Sequence, residues 1–296
     1  MRMVVKDFEK SPAKLLCEGS QKQIQSAIEM QDGEVYTTTY YKDITVIKEL
    51  NALYKKKCAY CESKIDFAAT LQVEHYRPKA KLESVKTTDR HHKGYYWLGN
   101  EWTNLVLSCP KCNQNGAKGN KFPIQGVRHF ADSPFDSSGN FSRANVLITN
   151  AHLKNEQPLL LNPGTFEEDM PENHFTFDRF SYMTGITPQG SKTIELCKLN
   201  REDLCLERLT KLNELLEDIK VVIQGLTKGK LNEAAVIFLL ETAFDKIKNS
   251  KNDTESYTLW AKHFYTNFED CFISRLDINY QATIKIAFEQ YQNGTL

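Results

Sequence analysis

Cys58-Ala59-Tyr60-Cys61, then Val73-Glu74-His75, then Cys109-Pro110-Lys111-Cys112-Asn113: two C-x-x-C pairs bracket a carboxylate and an imidazole, and the second pair runs straight into an amide. Each C-x-x-C places two thiolates on a tight knuckle. Two knuckles supply the four soft ligands of a closed tetrahedral zinc site. Such a site contributes folding energy and leaves no coordination position open for chemistry, so the Zn2+ is expected as scaffold. Catalysis would need a second, harder cation. Glu74 and the side-chain carbonyl of Asn113 are oxygen donors suited to Mg2+ or Mn2+. His75 is then left to act as a base.

Working outward from this segment, residues 11–30 and 40–54 read as helices, the second with Ile44, Ile47, Leu50 and Leu53 at helical spacing, and they lead into the first knuckle. From residue 58 to about 122 the pattern changes to short apolar runs broken by turn residues. Leu71-Gln72-Val73 and Leu105-Val106-Leu107 predict two strands, followed by a helix beginning near Cys112. Residues 79–100 form a long polar, basic insertion containing Thr87-Thr88-Asp89-Arg90-His91-His92, expected as a loop at the substrate surface. Residues 126–171, rich in Gly, Pro, Asn and Asp, are expected to be irregular, and His174-Phe175-Thr176-Phe177-Asp178 alternates like a strand. From a cap at Asn200 onward the sequence is helical. Leu209, Leu212, Leu216, Ile219 and Ile223 fall on one stripe, and residues 232–249, 256–268 and 278–291 continue the pattern.

The 296 residues suggest about two domains on the usual prior of ~150 residues each. The amino-terminal stretch Met1-Arg2-Met3-Val4-Val5-Lys6-Asp7 has no apolar signal core. The apolar run from Ala234 to Leu240 is shorter than the ~20 residues a spanning helix needs, so a cytoplasmic protein without a membrane partner is expected. Four of the eight cysteines lie in the C-x-x-C pairs, which favours metal binding over disulfides, and Cys17, Cys197, Cys205 and Cys271 are read as buried or incidental thiols. The net charge of zero hides a segregation: residues 51–130 hold 14 Lys/Arg against 6 Asp/Glu, and the remainder holds 24 against 32. A basic segment carrying the motif suits phosphate contact.

Taken together, Cys58-x-x-Cys61, Val73-Glu74-His75-Tyr76-Arg77-Pro78-Lys79, Trp102-Thr103-Asn104-Leu105-Val106-Leu107-Ser108-Cys109-x-x-Cys112-Asn113, Lys118 and Lys121-Phe122-Pro123 resemble the HNH endonucleases, whose core is a ββα-metal unit. More narrowly, they resemble the PtuB-type HNH nucleases of Septu and retron anti-phage systems. That likeness takes in Glu156, residues 158–163, His174-Phe175, residues 191–196 and Leu199-Asn200-Arg201, and so covers roughly the first two thirds of the chain. The resemblance implies that His75 is the general base and that Glu74 and Asn113 hold one divalent metal on the scissile phosphate. It also implies that Asn104 pins the loop between the strands. Glu74 stands where Asp is usual and Asn113 where a second His is common; both retain oxygen donors. Arg77, Lys79, Lys118 and Lys121 are candidates for phosphate positioning. The resemblance further implies a PtuA-like ABC-type ATPase as partner, and the acidic, helical region from about Asn200 is expected to dock on that partner or on a second copy of the chain.

The expected fold class is therefore α+β: an N-terminal helical segment over 1–50, a zinc-stapled ββα-metal HNH domain over 51–130, an irregular connection over 131–199 and a helical region over 200–296. The expected activity is DNA cleavage. An RNA-cleaving, toxin-like nuclease acting on tRNA and a non-catalytic zinc-binding adaptor remain as alternatives, because the same phosphodiester chemistry serves either backbone and two C-x-x-C pairs can simply fold a ribbon. His91, His92, His152 and His174 lack ligand-like spacing and are read as structural or surface residues, and Trp102 as core.

Overall fold

The computed structural model describes residues 1–30, 37–64, 71–83, 92–114, 116–164 and 170–296. The chain divides into two compact units, one formed by Met1–Phe175 with Gly185–Leu199, the other by Thr176–Thr184 with Asn200–Leu296. Among the described residues no helix is long and apolar enough to cross a membrane.

The first unit opens with α1 (Ala13–Leu16) and α2 (Glu18–Glu29), a break at extended Cys17 interrupting the expected single helix. In α3 (Ile44–Leu53) Asp43 is the cap, its carboxylate accepting from the Thr45 amide at 2.9 Å, and Val46 and Leu50 are the buried face. The chain then turns sharply through Lys55 and Lys56, both at positive φ, into the first knuckle. There Cys58 N donates to Ser63 O at 3.0 Å and Ala59 N donates to Leu107 O at 2.7 Å, lashing the knuckle to the ribbon.

That ribbon is β1 (Gln72–His75) paired antiparallel with β2 (Leu105–Ser108), with Gln72 opposite Ser108 and His75 opposite Leu105. All of β2 is buried, which explains why it reads as an apolar run rather than an alternation. α4 (Pro110–Asn113) follows at once. It is a single turn that begins at Pro110, ahead of the expected start near Cys112, because proline pre-sets the first helical position. Between α4 and α6 the described residues include the expected irregular stretch, the short helix α5 (Ala151–Lys154) and 3-10 turns at Arg143–Asn145 and Pro171–His174. The last helix of the unit, α6 (Pro188–Cys197), packs beside α4 and is capped by the Thr187 hydroxyl, which accepts from Gly190 N at 3.0 Å. The insertion after β1 folds back at Gly94, which only glycine can fill: its φ is +94°, and a Cβ there would stand 2.2 Å from Ala80 O. Residues 84–91, part of the insertion expected as a loop at the substrate surface, lie outside the described residues.

The second unit contains the turn between β3 (Phe175–Phe177) and β4 (Met183–Gly185), then α7 (Glu202–Thr227), α8 (Glu233–Asn249), α9 (Thr258–Thr266), α10 (Phe268–Cys271) and α11 (Ile278–Asn293). Leu212, Leu216 and Ile219 are buried as expected, while Leu209 and Ile223 are half-buried. Asn200 is not the cap of α7. Its amide instead brackets the Met183 backbone, accepting from N at 2.8 Å and donating to O at 2.7 Å, and the cap position falls to Arg201. Phe244, Phe268 and Phe288 form the aromatic centre, the last two stacked at 3.6 Å.

Candidate active site and metal centre

The four motif cysteines converge. Cys58, Cys61, Cys109 and Cys112 are all buried, and their sulfurs lie within 4.8 Å of one another. Cys61 Sγ and Cys109 Sγ are 3.8 Å apart, which matches the edge of a tetrahedron of Zn–S bonds, roughly 3.8 Å. The donor set and spacing fit zinc. Burial pushes the Cys58 thiol well up and mutual contacts raise Cys112 while lowering Cys109, so metal capture must displace protons from the group. None of the eight cysteines is in a disulfide, and Cys197 and Cys271 are buried thiols as expected.

Beside this centre, β1 ends on His75 with its ring buried. The imidazole Nε2 is 2.8 Å from the carbonyl oxygen of Gly99, and Tyr41 meets the ring edge-on at 4.6 Å. Burial lowers the His75 pKa to about 3, against the pull of the Gly99 carbonyl and with Lys79, Lys118 and Lys42 adding to the fall. The ring is therefore neutral. Since a carbonyl can only accept, Nε2 carries the proton and Nδ1 presents the lone pair.

Asn104, wholly buried, sets the geometry behind the histidine. Its Oδ1 accepts from Arg77 N at 2.8 Å, and its Nδ2 donates to Arg77 O at 2.9 Å and to Leu98 O at 3.2 Å. It thus ties the strand exit after His75 to the turn that offers the Gly99 carbonyl. Glu74, facing Val106 across the ribbon, pairs through Oε1 with Lys118 Nζ at 2.5 Å. That ammonium also donates to His75 O at 2.8 Å and Gly119 O at 3.2 Å. Glu74, His75 and Asn113 line one cleft of about 480 Å³, together with Tyr41, Lys42 and Lys79.

The four basic candidates separate. Lys79 is half-buried at the cleft, its ammonium 5.3 Å from the centre of the Tyr41 ring. Lys121 donates to Gly116 O and Ala117 O, both at 2.8 Å. Arg77 and Lys118 are not surface cations: both are fully buried, Lys118 on Glu74 and Arg77 in an ion pair with Glu156. The Glu156 carboxylate also accepts from Tyr95 OH at 2.9 Å and from His129 N at 2.8 Å, and Arg77 Nη2 donates to Leu153 O at 2.7 Å. Burial sets their role, since a desolvated cation must be paired. Lys42 was missed by sequence reasoning; its position on the turn before α3, next to the aromatic Tyr41, was the only available signal.

Among the other histidines, His92 is buried and its Nε2 contacts His129 O at 2.9 Å, and His174 Nδ1 contacts Thr187 Oγ1 at 2.6 Å, so both are structural as expected. His91 lies outside the described residues. His152 departs from expectation: it clusters with His129 and Asp132. Trp102 is core, with the Lys6 ammonium 3.9 Å above its ring.

With the geometry in hand, the chain is similar to Septu protein PtuB of Bacillus mycoides (strain KBAB4), 34% identical over 198 residues, which is 64% of this chain and 59% of that protein. It is also similar to Septu protein PtuA of the same strain, 27% identical over 154 residues, 52% of this chain and 19% of that protein. The chain thus spans less than two thirds of either relative. No family model matches it, and no solved structure does. The likeness expected from the motifs is therefore a likeness to the Septu proteins, PtuB above all.

Proposed function

We propose that this PtuB-like chain is the nuclease of a Septu-type anti-phage system, an HNH endonuclease hydrolysing phosphodiester bonds in DNA. In this reading β1, β2 and the single turn α4 are the ββα-metal core, stapled by zinc on the four cysteines. The observation that carries it is the His75 imidazole, neutral with Nε2 committed to Gly99 O, in a cleft shared with Glu74 and Asn113.

His75 Nδ1, which carries the free lone pair of the ring, takes a proton from the attacking water. Glu74 and Asn113 suit a hard cation, since both line the cleft and carry oxygen donors, Glu74 also pairing through Oε1 with Lys118. When Mg2+ or Mn2+ is bound there, it supplies charge stabilisation at the phosphate and the leaving oxygen. Asn104 is a positioning residue, holding the carbonyl turn against which His75 is aligned. Lys42 and Lys79 bind backbone phosphate at the rim. A PtuA-like ABC-type ATPase acts as partner and restrains or directs the cut.

The reading is tested with the purified chain, alone and with a PtuA-like ATPase, on plasmid DNA and on total tRNA with Mg2+ or Mn2+. Nicked or linearised plasmid supports it. Cleavage of tRNA alone would move the substrate to RNA. Phage protection that survives replacing Glu74, His75 and Asn113 by alanine would leave a zinc-binding adaptor instead.

A further inference from the structure

The cluster of His129, Asp132 and His152 lies apart from the four cysteines in sequence and belongs to none of the chemistry above. His129 and Asp132 sit three residues apart on the irregular connection, and His152 comes from α5; sequence spacing alone gives no reason to join them. The fold does so closely. His152 Nε2 is 2.8 Å and His129 Nε2 3.7 Å from Asp132 Oδ2, and the two imidazoles face each other at 4.3 Å. All three donor atoms lie within 4.8 Å of one another.

The same three atoms are shielded from water and face one another, with no hydrogen-bond partner outside the cluster. Asp132 has its other oxygen, Oδ1, held by Ser133 N at 2.8 Å, which aims Oδ2 at the histidines. His129 is fixed from behind, its backbone amide donating to the buried Glu156 carboxylate. Donor separations of 2.8 and 3.7 Å bracket the edges of an octahedron or tetrahedron with bonds near 2.1 Å, roughly 3.0 to 3.4 Å. The side chains keep 20 to 38% exposure, so an ion has a way in.

We propose that His129, Asp132 and His152 form a second metal site, a two-histidine, one-carboxylate set for a borderline divalent transition ion, with zinc the ion to test. Two imidazoles and one carboxylate suit Zn2+, Mn2+ or Fe2+ better than Mg2+ or Ca2+, which favour all-oxygen shells. Three protein ligands leave a coordination position for water or a further ligand. The ion clips α5 to the 129–132 segment, on the stretch that also carries the Glu156 partner of Arg77.

The test uses the full chain carrying Asn113→Ala, which removes a ligand of the proposed Mg2+ or Mn2+ site, as the parent; it is stripped of metal and titrated with Zn2+ against a chromophoric chelator, alone and with His129→Ala, His152→Ala or Cys109→Ser added. The expected result is two equivalents in the parent and loss of the second, weaker one in both histidine variants, with the cysteine-bound equivalent intact. A parent that binds one equivalent, or a second equivalent retained in both histidine variants, overturns the proposal. If a histidine variant loses both equivalents through misfolding, Co2+ titration of the parent decides. A second cobalt absorbing without thiolate charge transfer supports the site, and thiolate-type absorption alone refutes it. Loss confined to Cys109→Ser reports on the cysteine centre separately and, with both histidine variants unaffected, refutes the site.

Discussion

Asn104 holds Leu98 O with its Nδ2 while the next carbonyl along, that of Gly99, receives His75 Nε2, so one buried amide controls the surface against which the candidate base is set. Replacing Asn104 by Ala removes three hydrogen bonds from a buried site and is expected to cost about 1–3 kcal/mol of stability. Because a small misplacement of a reacting group is expensive, kcat should fall by about tenfold or more with KM little changed. Steady-state cleavage rates alongside urea unfolding check both; an unchanged kcat in a folded variant would contradict the positioning role.

The depressed pKa of His75 makes a signed prediction for stability. Its folded value of about 3 lies below the ordinary value near 6.5, so as pH falls below 6.5 the unfolded chain takes up a proton that the folded chain refuses. Stability is then lost progressively as pH drops toward 3, and nothing is lost above 6.5. Between pH 7 and pH 5 the contribution is about 2 kcal/mol. Urea unfolding of wild type and His75→Gln at both pH values isolates it, since the zinc centre is common to the two; identical pH dependence would refute it.

Lys118 and Glu74 form a buried pair, so removing one partner strands the other. Lys118→Met is expected to destabilise by about 3–5 kcal/mol, and the double replacement Glu74→Gln with Lys118→Met should recover part of that loss. Denaturant midpoints of the two single variants and the double variant measure the coupling. Additive losses would show that the pair is not coupled.

The rim lysines should behave as phosphate contacts. Lys42→Gln and Lys79→Gln are each expected to weaken DNA binding uniformly across sequences and to reduce the slope of log K against log salt by about 1. Arg77→Gln should instead lower stability with no such change in slope, since Arg77 serves Glu156 inside the protein. Binding isotherms at several salt concentrations separate the two behaviours.

The motif region was the most legible part of the sequence, because its constraints are local. C-x-x-C spacing dictates a knuckle, and the apolar runs before Glu74 and Cys109 dictate strands whose pairing then brings His75 opposite Leu105. The helical stripe from Leu212 to Ile219 was legible for the same reason. What was not legible depends on long-range burial. Arg77 and Lys118 look like surface cations until the fold provides Glu156, 79 residues away, and Glu74, 44 away. Asn200 resembles a helix cap until Met183 offers both its backbone groups. His152 meets its partners only because an irregular connection, with no periodicity to read, folds back on itself.

The central claim, that His75 is the base of a phosphodiester hydrolase, is tested most directly by cleavage of supercoiled plasmid with Mg2+ or Mn2+ by wild type and His75→Ala, each checked for zinc content and cooperative unfolding. The account predicts a loss of cleavage of about a hundredfold or more in the variant, with zinc still held by the cysteines. Equal cleavage by the two folded proteins would contradict it.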